Sequence, residues 1–367
     1  MMLERYQRHN LIDWFSQDTL TRTKAAVIGA GAVGNEVIKN LAILGVGEIH
    51  VFDFDTIEEH NLTRSVMFRT EHVGRSKALV AAEQASLMDC NISVVGTHGD
   101  FWDHLKLLEL QTYDVLFCCV DNFEARIRCN TLCYLTRVDF VNTGIDSRFA
   151  VAEVFPFSRV SSGCFECNIP PSVYSGISER YSCGHLRKLT FIEKKVPTTI
   201  ITSTIAASIA VSAGLRLGAL DAEPAARRLY VDTIGGSLTN TLLTQASDCP
   251  CCGQYGNNLA LVAARPDIEA LPTEWDPDAT VTTSEPILVS YRIGGHETLI
   301  FDRASRFDSD FPATVAEDPG DVELEVRDQF TLSELASRFK GRAMPCKYAV
   351  VTSGEKTVVF EFTERQS

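Results

Sequence analysis

Residues 24–55 read KAAVIGAGAVGNEVIKNLAILGVGEIHVFDFD, and this stretch decides the fold. A short apolar run, 25–28, ends in the glycine turn Gly29-Ala30-Gly31-Ala32-Val33-Gly34. Apolar residues at helical spacing follow in 35–44, and 48–54 has the composition of a strand. Because a helical crossover between two strands of one sheet is right-handed and leaves them parallel, the stretch predicts a β–α–β unit.

Later segments repeat this alternation. Residues 93–95, 115–120 and 140–143 are rich in strand-forming residues, with helical stretches between them. The pattern predicts an α/β fold, with a doubly wound, Rossmann-like, mostly parallel sheet and a ligand at the carboxyl ends of its strands. The apolar segment 196–220 contains Ser203, Thr204 and Arg216, so we interpret it as a buried helix and not as a membrane span.

The composition changes after Cys252. Residues 265–285 are rich in Pro, Asp, Glu and Thr and are predicted to be a linker. Beyond them, 287–293, 298–301, 348–352 and 357–362 have strand patterns, and Thr331-Leu332-Ser333-Glu334 has the spacing of a helix capping box. The sequence therefore predicts a domain over 1–264, a linker over 265–285 and a small α+β domain over 286–367.

Bulk composition excludes several classes of protein. The chain has 367 residues, 45% of them hydrophobic, and a net charge of −14. Such acidity excludes non-specific binding to nucleic acid, which depends on Lys and Arg. The N-terminus lacks the basic start and apolar run of a secretory signal. We therefore expect a cytoplasmic protein without membrane contacts, in which paired cysteines bind metal more often than they form disulfides.

The glycine turn is a candidate phosphate-binding site. Gly29, Gly31 and Gly34 allow a tight turn, a close approach of the backbone to phosphate, and the start of a helix whose amides favour an anion. Many NAD and FAD proteins share this pattern. Asp53 ends the second strand, where an acid can bind a ribose hydroxyl, and that position also fits either kind of nucleotide.

The charged residues that follow favour ATP. Asn61, Arg64 and Lys77 follow the second strand and could reach the phosphates. A hydride transferase does not need these cations, whereas an enzyme that breaks a phosphoanhydride must stabilise a leaving pyrophosphate. Asp121 follows the strand 115–120 and is a candidate magnesium ligand. The alternative is that Asp121 caps the helix that starts near Phe123.

Two cysteine pairs form a candidate zinc site. Cys164 and Cys167 form one CxxC pair, Cys249 and Cys252 form the other, and four thiolates suit tetrahedral zinc. Cys251 would be a spare thiol, and the alternative to zinc is free thiols or a disulfide. Cys118, Cys119, Cys129 and Cys133 are interpreted as core residues.

Cys183 is a candidate nucleophile in the polar run 180–185. The neighbouring Arg180, His185, Arg187 and Lys188 would lower its pKa and enrich the thiolate. The alternative is an incidental loop thiol.

Together, these motifs resemble the ThiF/MoeB/HesA superfamily of adenylating enzymes, which activate ubiquitin and its bacterial relatives. The resemblance covers roughly residues 4–253. Its motifs are Arg5-Tyr6-Gln7-Arg8, the glycine turn, Asp53-x-Asp55, Asn61-Leu62-x-Arg64, Lys77, Asp121-Asn122 and the cysteine pairs. Ser65 stands where the family usually has Gln, so contacts to the substrate near this position are in doubt.

The resemblance implies ATP-dependent adenylation of the C-terminal glycine of a ubiquitin-like protein, with ATP, Mg²⁺ and structural Zn²⁺ bound. It also implies a homodimer, in which Arg8 enters the ATP site of the second subunit. Cys183 matches a position that often accepts the acyl group as a thioester. The implied catalytic residues are Arg8, Arg64, Lys77, Asp121 and Cys183, and the implied nucleotide-binding residues are Gly29, Gly31, Gly34, Asp53, Asp55, Asn61, Arg64, Lys77 and Asn122.

The resemblance leaves the later steps open. Conjugation-type members recruit a conjugating enzyme, and sulfur-carrier activators serve thiamine or molybdopterin synthesis. The tail has no obvious rhodanese loop, and its acidic residues would suit a basic helix of a conjugating enzyme, so we favour conjugation. Alternatively, the tail caps the dimer. A dinucleotide-dependent oxidoreductase and a non-catalytic adaptor of this fold are rival hypotheses.

Overall fold

A computed structural model describes residues 4–159, 163–170, 172–173, 198–215, 224–255, 259–272, 275–307 and 310–363. Its first unit ends at Cys252 and contains, in chain order, α1 (Gln17–Arg22), β1 (Lys24–Ile28), α2 (Ala32–Leu44), β2 (Glu48–Asp53), α3 (Lys77–Met88), β3 (Ser93–His98), α4 (Phe101–His104), α5 (Leu107–Leu110), β4 (Val115–Cys118), α6 (Phe123–Thr136), β5 (Asp139–Ile145), β6 (Phe149–Phe155), α7 (Ile200–Gly214), β7 (Arg227–Asp232) and β8 (Ser237–Leu242).

The sheet of this unit has the strand order β3-β2-β1-β4-β5-β6-β7-β8. β1 pairs in parallel with β2 on one side and with β4 on the other. The chain therefore winds in opposite directions on the two sides of β1. Ligands of such sheets bind at this position, beside the carboxyl ends of the strands. The prediction of a doubly wound, mostly parallel α/β sheet is confirmed.

The sheet continues through an antiparallel extension that the sequence did not predict. β6 pairs with β5, β7 with β6 and β8 with β7, all antiparallel. The residues of β8 are exposed along its whole length. Because its sequence, SLTNTL, is largely polar, this edge strand lacks the apolar alternation by which strands are recognised.

Helices cover the core of this unit. α2 packs against both α3 and α7, and α5 packs against α6. α7 lies in the apolar segment 196–220, and its residues Ala206, Ala207 and Ala210 are fully buried in the core. The interpretation of this segment as a buried helix agrees with the structure over 200–214. In the part of the chain that the structure describes, no helix has the length and apolar character needed to cross a membrane.

The second unit has its own sheet and core. From Gly253 onwards it contains β9 (Leu259–Ala264), β10 (Thr280–Ile293), β11 (His296–Arg303), α8 (Phe311–Val315), β12 (Val322–Thr331), α9 (Leu332–Arg338), β13 (Tyr348–Ser353) and β14 (Lys356–Phe362). The strand order is β11-β10-β13-β14-β9, and β12 also pairs with β10. Thr331 caps α9 as predicted, because its hydroxyl accepts a hydrogen bond from the Glu334 amide.

The domain boundaries need correction. β9 pairs with β14, so residues 259–264 belong to the C-terminal sheet and not to the first domain. The predicted linker 265–285 is also folded, since Ile268 and Leu271 are buried in the second core and β10 begins at Thr280. The few apolar residues of this segment lie at irregular spacing among Pro, Asp and Glu, so the sequence pattern did not indicate that they are buried.

Candidate functional site

The glycine turn follows β1 at the point where the winding of the sheet reverses. Gly29 has φ +91°, in the left-handed region, and its N–H donates to the Phe52 carbonyl at 2.8 Å. A Cβ on Gly34 would collide with the Gly29 carbonyl, so α2 packs against the turn only because residue 34 is glycine. A Cβ on Gly31 would meet nothing within 4 Å. Gly31 thus has an open face that a ligand could occupy.

Substitutions at Gly31 and Gly34 should separate ligand binding from folding. Gly31→Val is expected to keep the thermal midpoint within about 3 °C of wild type and to weaken ATP binding at least tenfold, because its side chain fills the open face. Gly34→Ala is expected to lower the midpoint instead. Calorimetric titration and thermal unfolding check both, and unchanged ATP affinity in Gly31→Val would contradict the assignment of this face.

Asp53 supports the glycine turn directly. Its Oδ2 accepts a hydrogen bond from the Ala30 amide at 2.7 Å, and its Oδ1 accepts one from the Asp55 amide at 2.8 Å. Burial raises the pKa of the Asp53 carboxyl, although these two amides and the Lys77 charge oppose the rise. Each carboxylate oxygen can accept two hydrogen bonds, so acceptor capacity for a ribose hydroxyl remains.

Lys77 lies beside the turn at the first position of α3. Its Nζ is 2.7 Å from Oδ2 of Asp55, and its own amide donates to the Asp55 carbonyl at 3.0 Å. The Lys77 side chain is 12% exposed and that of Asp55 is 52% exposed. Because Asp55 follows Asp53 by two residues, the ion pair fixes a cation next to the segment that supports the glycine turn.

Asn61 and Arg64 lie in and after a 3-10 helix, Glu59–Thr63. Asn61 is buried, and its Oδ1 accepts a hydrogen bond from the Glu58 amide at 2.9 Å. The Arg64 guanidinium donates to the His60 carbonyl at 3.0 Å. Within the described ranges, Arg64 forms no ion pair, so its charge is not neutralised by a protein carboxylate.

Asn35 joins this loop to the glycine turn, and the sequence analysis missed it. Its Nδ2 donates to the Ala30 carbonyl at 2.6 Å, and its Oδ1 accepts from the Met67 amide at 3.0 Å. The side chain is fully buried. A polar residue among the apolar positions of α2 was the signal that could have revealed it, because buried amides are retained where both hydrogen-bonding groups are satisfied.

Asp121 and Asn122 follow β4 next to the same turn. A Cβ on Gly29 would lie 2.9 Å from the Cys119 carbonyl, so the segment that precedes Asp121 touches the turn. The capping residue of α6 is Asn122, whose Oδ1 accepts from the Ala125 amide at 2.8 Å. The alternative that Asp121 is the cap is therefore wrong. Asp121 is exposed, and the described residues offer its carboxylate no hydrogen bond or ion pair.

The N-terminal motif contains two residues that anchor it, Arg5 and Tyr6, and one exposed cation, Arg8. The Tyr6 hydroxyl donates to Asp89, and Arg5 forms an ion pair with the same carboxylate at 3.0 Å. Burial and the hydrogen bond to Asp89 raise the pKa of Tyr6 to about 12. Arg8 is exposed, and no described side chain pairs with its guanidinium. Tyr6 and Arg5 thus hold the segment against the end of α3 while Arg8 remains available.

The two cysteine pairs come together as predicted. The Sγ atoms of Cys164, Cys167, Cys249 and Cys252 all lie within 4.8 Å of one another. Individual Sγ–Sγ distances are 3.5 Å for Cys164–Cys249, 3.9 Å for Cys164–Cys167 and 3.3 Å for Cys167–Cys252. Tetrahedral zinc with bonds of about 2.3 Å requires sulfur atoms roughly 3.8 Å apart. The four thiols therefore fit a structural zinc ion.

Backbone amides support the assignment of Cys167 as a thiolate ligand. The amides of Cys164 and Ala246 both donate to Cys167 Sγ at 3.4 Å. Hydrogen bonds from the neighbouring thiols, Cys164 foremost, lower the pKa of Cys167. The spare thiol, Cys251, is buried outside the group of four, and burial raises its pKa to about 11.

Five further cysteines were assigned roles from the sequence. Cys118, Cys129 and Cys133 are fully buried, and Cys119 is partly buried, in line with a packing role. The candidate nucleophile Cys183 lies outside the described residues.

Comparison with known proteins matches this geometry to one family. The model of the ThiF family matches residues 5–250. The SUMO-activating enzyme subunit uba-2 of Caenorhabditis elegans is 32% identical over 167 residues, which are 44% of this chain and 28% of that protein. The adenylyltransferase and sulfurtransferase MOCS3 of Caenorhabditis briggsae is 30% identical over 173 residues, which are 45% of this chain and 42% of that protein. The matches thus span less than half the length of these curated relatives.

Solved structures share the fold. A crystal structure of E. coli MccB with ATP aligns with a TM-score of 0.54 and 22% identity, and the alignment covers 69% of this chain and 75% of that chain. At this identity the likeness establishes the fold alone.

Proposed function

This chain belongs to the ThiF family, and from that premise we propose that it uses ATP to adenylate the C-terminal glycine of a ubiquitin-like protein. One observation carries the proposal. A single glycine turn is contacted by the segment that leads to Asp121 and by Asp53, and Asp53 is joined through Asp55 to Lys77. The turn thereby lies near a fixed cation and near a carboxylate that pairs with none of the described residues. This arrangement suits Mg²⁺ and triphosphate and exceeds what a nicotinamide cofactor requires.

The proposed first step transfers the adenylyl group of ATP to the glycine carboxylate. A carboxylate oxygen of the glycine attacks the α-phosphorus, the bond to the bridging oxygen of pyrophosphate breaks, and an acyl-adenylate forms. Arg64 and Lys77 would stabilise the charge on the leaving pyrophosphate, and Asp121 would hold a Mg²⁺ ion that neutralises part of that charge. The N-terminus of α2, which begins at Ala32 next to the open face of Gly31, would face the phosphates.

A second subunit completes the proposed site. Arg8 is exposed and unpaired within the described chain, while Arg5 and Tyr6 fix the segment that carries it. We propose that Arg8 contributes to the ATP site of a second copy in a homodimer.

Every described cysteine is a free thiol, which suits the cytosol as the compartment.

We propose that the Cys183 thiolate then attacks the acyl-adenylate, releasing AMP and forming a thioester, and that the acyl group passes from there to a conjugating enzyme. The basic residues around Cys183 in the sequence support this step, because they favour the thiolate. A second candidate is activation of a sulfur-carrier protein, favoured by the similarity to an adenylyltransferase and sulfurtransferase. Both share the adenylation step and differ in the acceptor.

Substitution of Cys183 distinguishes adenylation from thioester formation. Cys183→Ala is expected to keep ATP–pyrophosphate exchange with the ubiquitin-like substrate within about twofold of wild type, and to lose the adduct that dithiothreitol cleaves on gel electrophoresis. Cys90→Ala, which removes an exposed thiol elsewhere, is the control and should retain the adduct. An adduct that persists in Cys183→Ala would refute this assignment of the nucleophile, and loss of exchange would show that Cys183 acts in the first step.

A further inference from the structure

One face of α6 carries polar side chains at every fourth position: Asn122, Arg126, Asn130 and Tyr134. Residues four apart lie above one another on a helix, so these side chains form a stripe along its axis. We call it the α6 stripe. Asn130 and Tyr134 are fully buried. Each of the four side chains forms at least one hydrogen bond.

The first half of the stripe fixes the turn that carries Asp121. Asn122 caps the helix, and Arg126 donates hydrogen bonds to the carbonyls of Val120 and Thr143 and, at 2.5 Å, to Oδ1 of Asn142. Val120 immediately precedes Asp121. One guanidinium therefore links the end of β4 to β5 and determines where the backbone of Asp121 lies.

The second half of the stripe holds the zinc-binding cysteine pairs. Asn130 Oδ1 accepts from the Phe165 amide at 3.0 Å, and its Nδ2 donates to Glu166 Oε1 at 3.1 Å. Phe165 and Glu166 are the two residues between Cys164 and Cys167. The Tyr134 hydroxyl donates to the carbonyl of Cys252, in the other pair, at 3.5 Å.

These contacts attach both cysteine pairs to the helix whose first turn follows Asp121. Thr131 strengthens the attachment, because its hydroxyl donates to the same Glu166 oxygen at 3.4 Å. Glu166 is buried, so loss of these two donors would remove part of the compensation for a buried charged group, which is costly in a protein interior. A shift of the cysteine pairs is therefore expected to move α6 with them.

We propose that α6 couples the zinc site to the nucleotide site, with Asn130 and Arg126 as positioning residues that act on Asp121 through the helix. This inference rests on the proposed function, because it requires Mg²⁺ and ATP to bind at the Asp121 turn. Coupling between two sites is reciprocal: if zinc favours the arrangement that binds nucleotide, bound nucleotide must favour retention of zinc.

Zinc release tests the coupling without any measurement of turnover. The zinc-loaded chain is mixed with a chromogenic chelator, with and without saturating Mg²⁺ and a non-hydrolysable ATP analogue. The analogue is expected to slow release at least threefold in wild type. In Asn130→Leu the effect should disappear, and the Mg²⁺ concentration for half-maximal binding of the analogue should rise at least fivefold.

A second variant serves if Asn130→Leu fails to fold or to bind zinc. Arg126→Lys keeps the charge but cannot make all three hydrogen bonds, and the hydrogen bonds of Arg126 go to Val120, Asn142 and Thr143 and not to the cysteine pairs. It should release zinc at the wild-type rate without nucleotide and lose the slowing by nucleotide. Cys133→Ala, a buried change in the same helix, is the control for lost stability and should keep the slowing.

Calorimetry of analogue binding, run in parallel, separates the two proposals. If the analogue does not bind to wild type, the proposed function fails. If it binds and the zinc release rate is unchanged, the coupling is refuted while the proposed function stands. Slowing that persists in both Asn130→Leu and Arg126→Lys would refute the roles of these two residues.

Discussion

Asp121→Asn is expected to lower ATP–pyrophosphate exchange at least a hundredfold while leaving the fold intact. The carboxylate is exposed and has no hydrogen bond or ion pair with the described residues, so the protein itself does not use it for structure. Asn122 caps α6, and that cap remains in the variant. Removing one group that stabilises charge in a transition state typically costs about 100-fold to 1,000-fold in rate.

The measurement is isotope exchange between pyrophosphate and ATP, combined with thermal unfolding. Asp18→Asn offers a control, since Asp18 is another exposed carboxylate near the start of a helix. It should retain exchange near the wild-type rate. If Asp121→Asn exchanges as fast as Asp18→Asn, Asp121 does not hold the metal of the reaction.

Cys249→Ser is expected to lose bound zinc and to unfold at a markedly lower temperature. Cys164 and Cys167 come from one segment and Cys249 and Cys252 from another, 85 residues apart in sequence, and the ion would tie them together. Structural zinc contributes on the order of 10 kcal/mol of apparent binding free energy. Loss of even a third of that corresponds to a fall of about 10 °C in a domain of this size.

Cys251→Ser is the control for this prediction. Cys251 is buried, as are Cys164, Cys249 and Cys252, but it stands outside the group of four. Elemental analysis should find one zinc per chain in wild type and in Cys251→Ser, and a substoichiometric amount in Cys249→Ser. Equal zinc contents and equal melting temperatures in the two variants would refute the four-cysteine site.

Much of the first unit could be predicted because local patterns dictate it. The glycine turn, the strands 25–28 and 48–54 and the paired cysteines each follow from steric or coordination rules that act over a few residues. The position of the glycine turn could be predicted in the same way, since parallel strands bring their carboxyl ends to one edge of the sheet. Asp53, at the end of β2, therefore reaches the turn that follows β1.

Features that depend on tertiary partners could not be predicted. Asn35 and Asn130 are polar residues on buried helix faces, and only the backbone groups opposite them explain their presence. β8 is recognisable only through its pairing with β7, because its own sequence is polar. Likewise, the burial of Ile268 and Leu271 depends on a core assembled from strands that follow later in the sequence.

The most direct test of the central claim is ATP–pyrophosphate exchange with a panel of ubiquitin-like and sulfur-carrier proteins, each with its native C-terminal glycine and with that glycine deleted. We expect exchange that requires Mg²⁺ and an intact C-terminus and that at least one member of the panel elicits. Exchange that is equally fast with native and truncated proteins, or absent with all of them although ATP binds, would contradict the account.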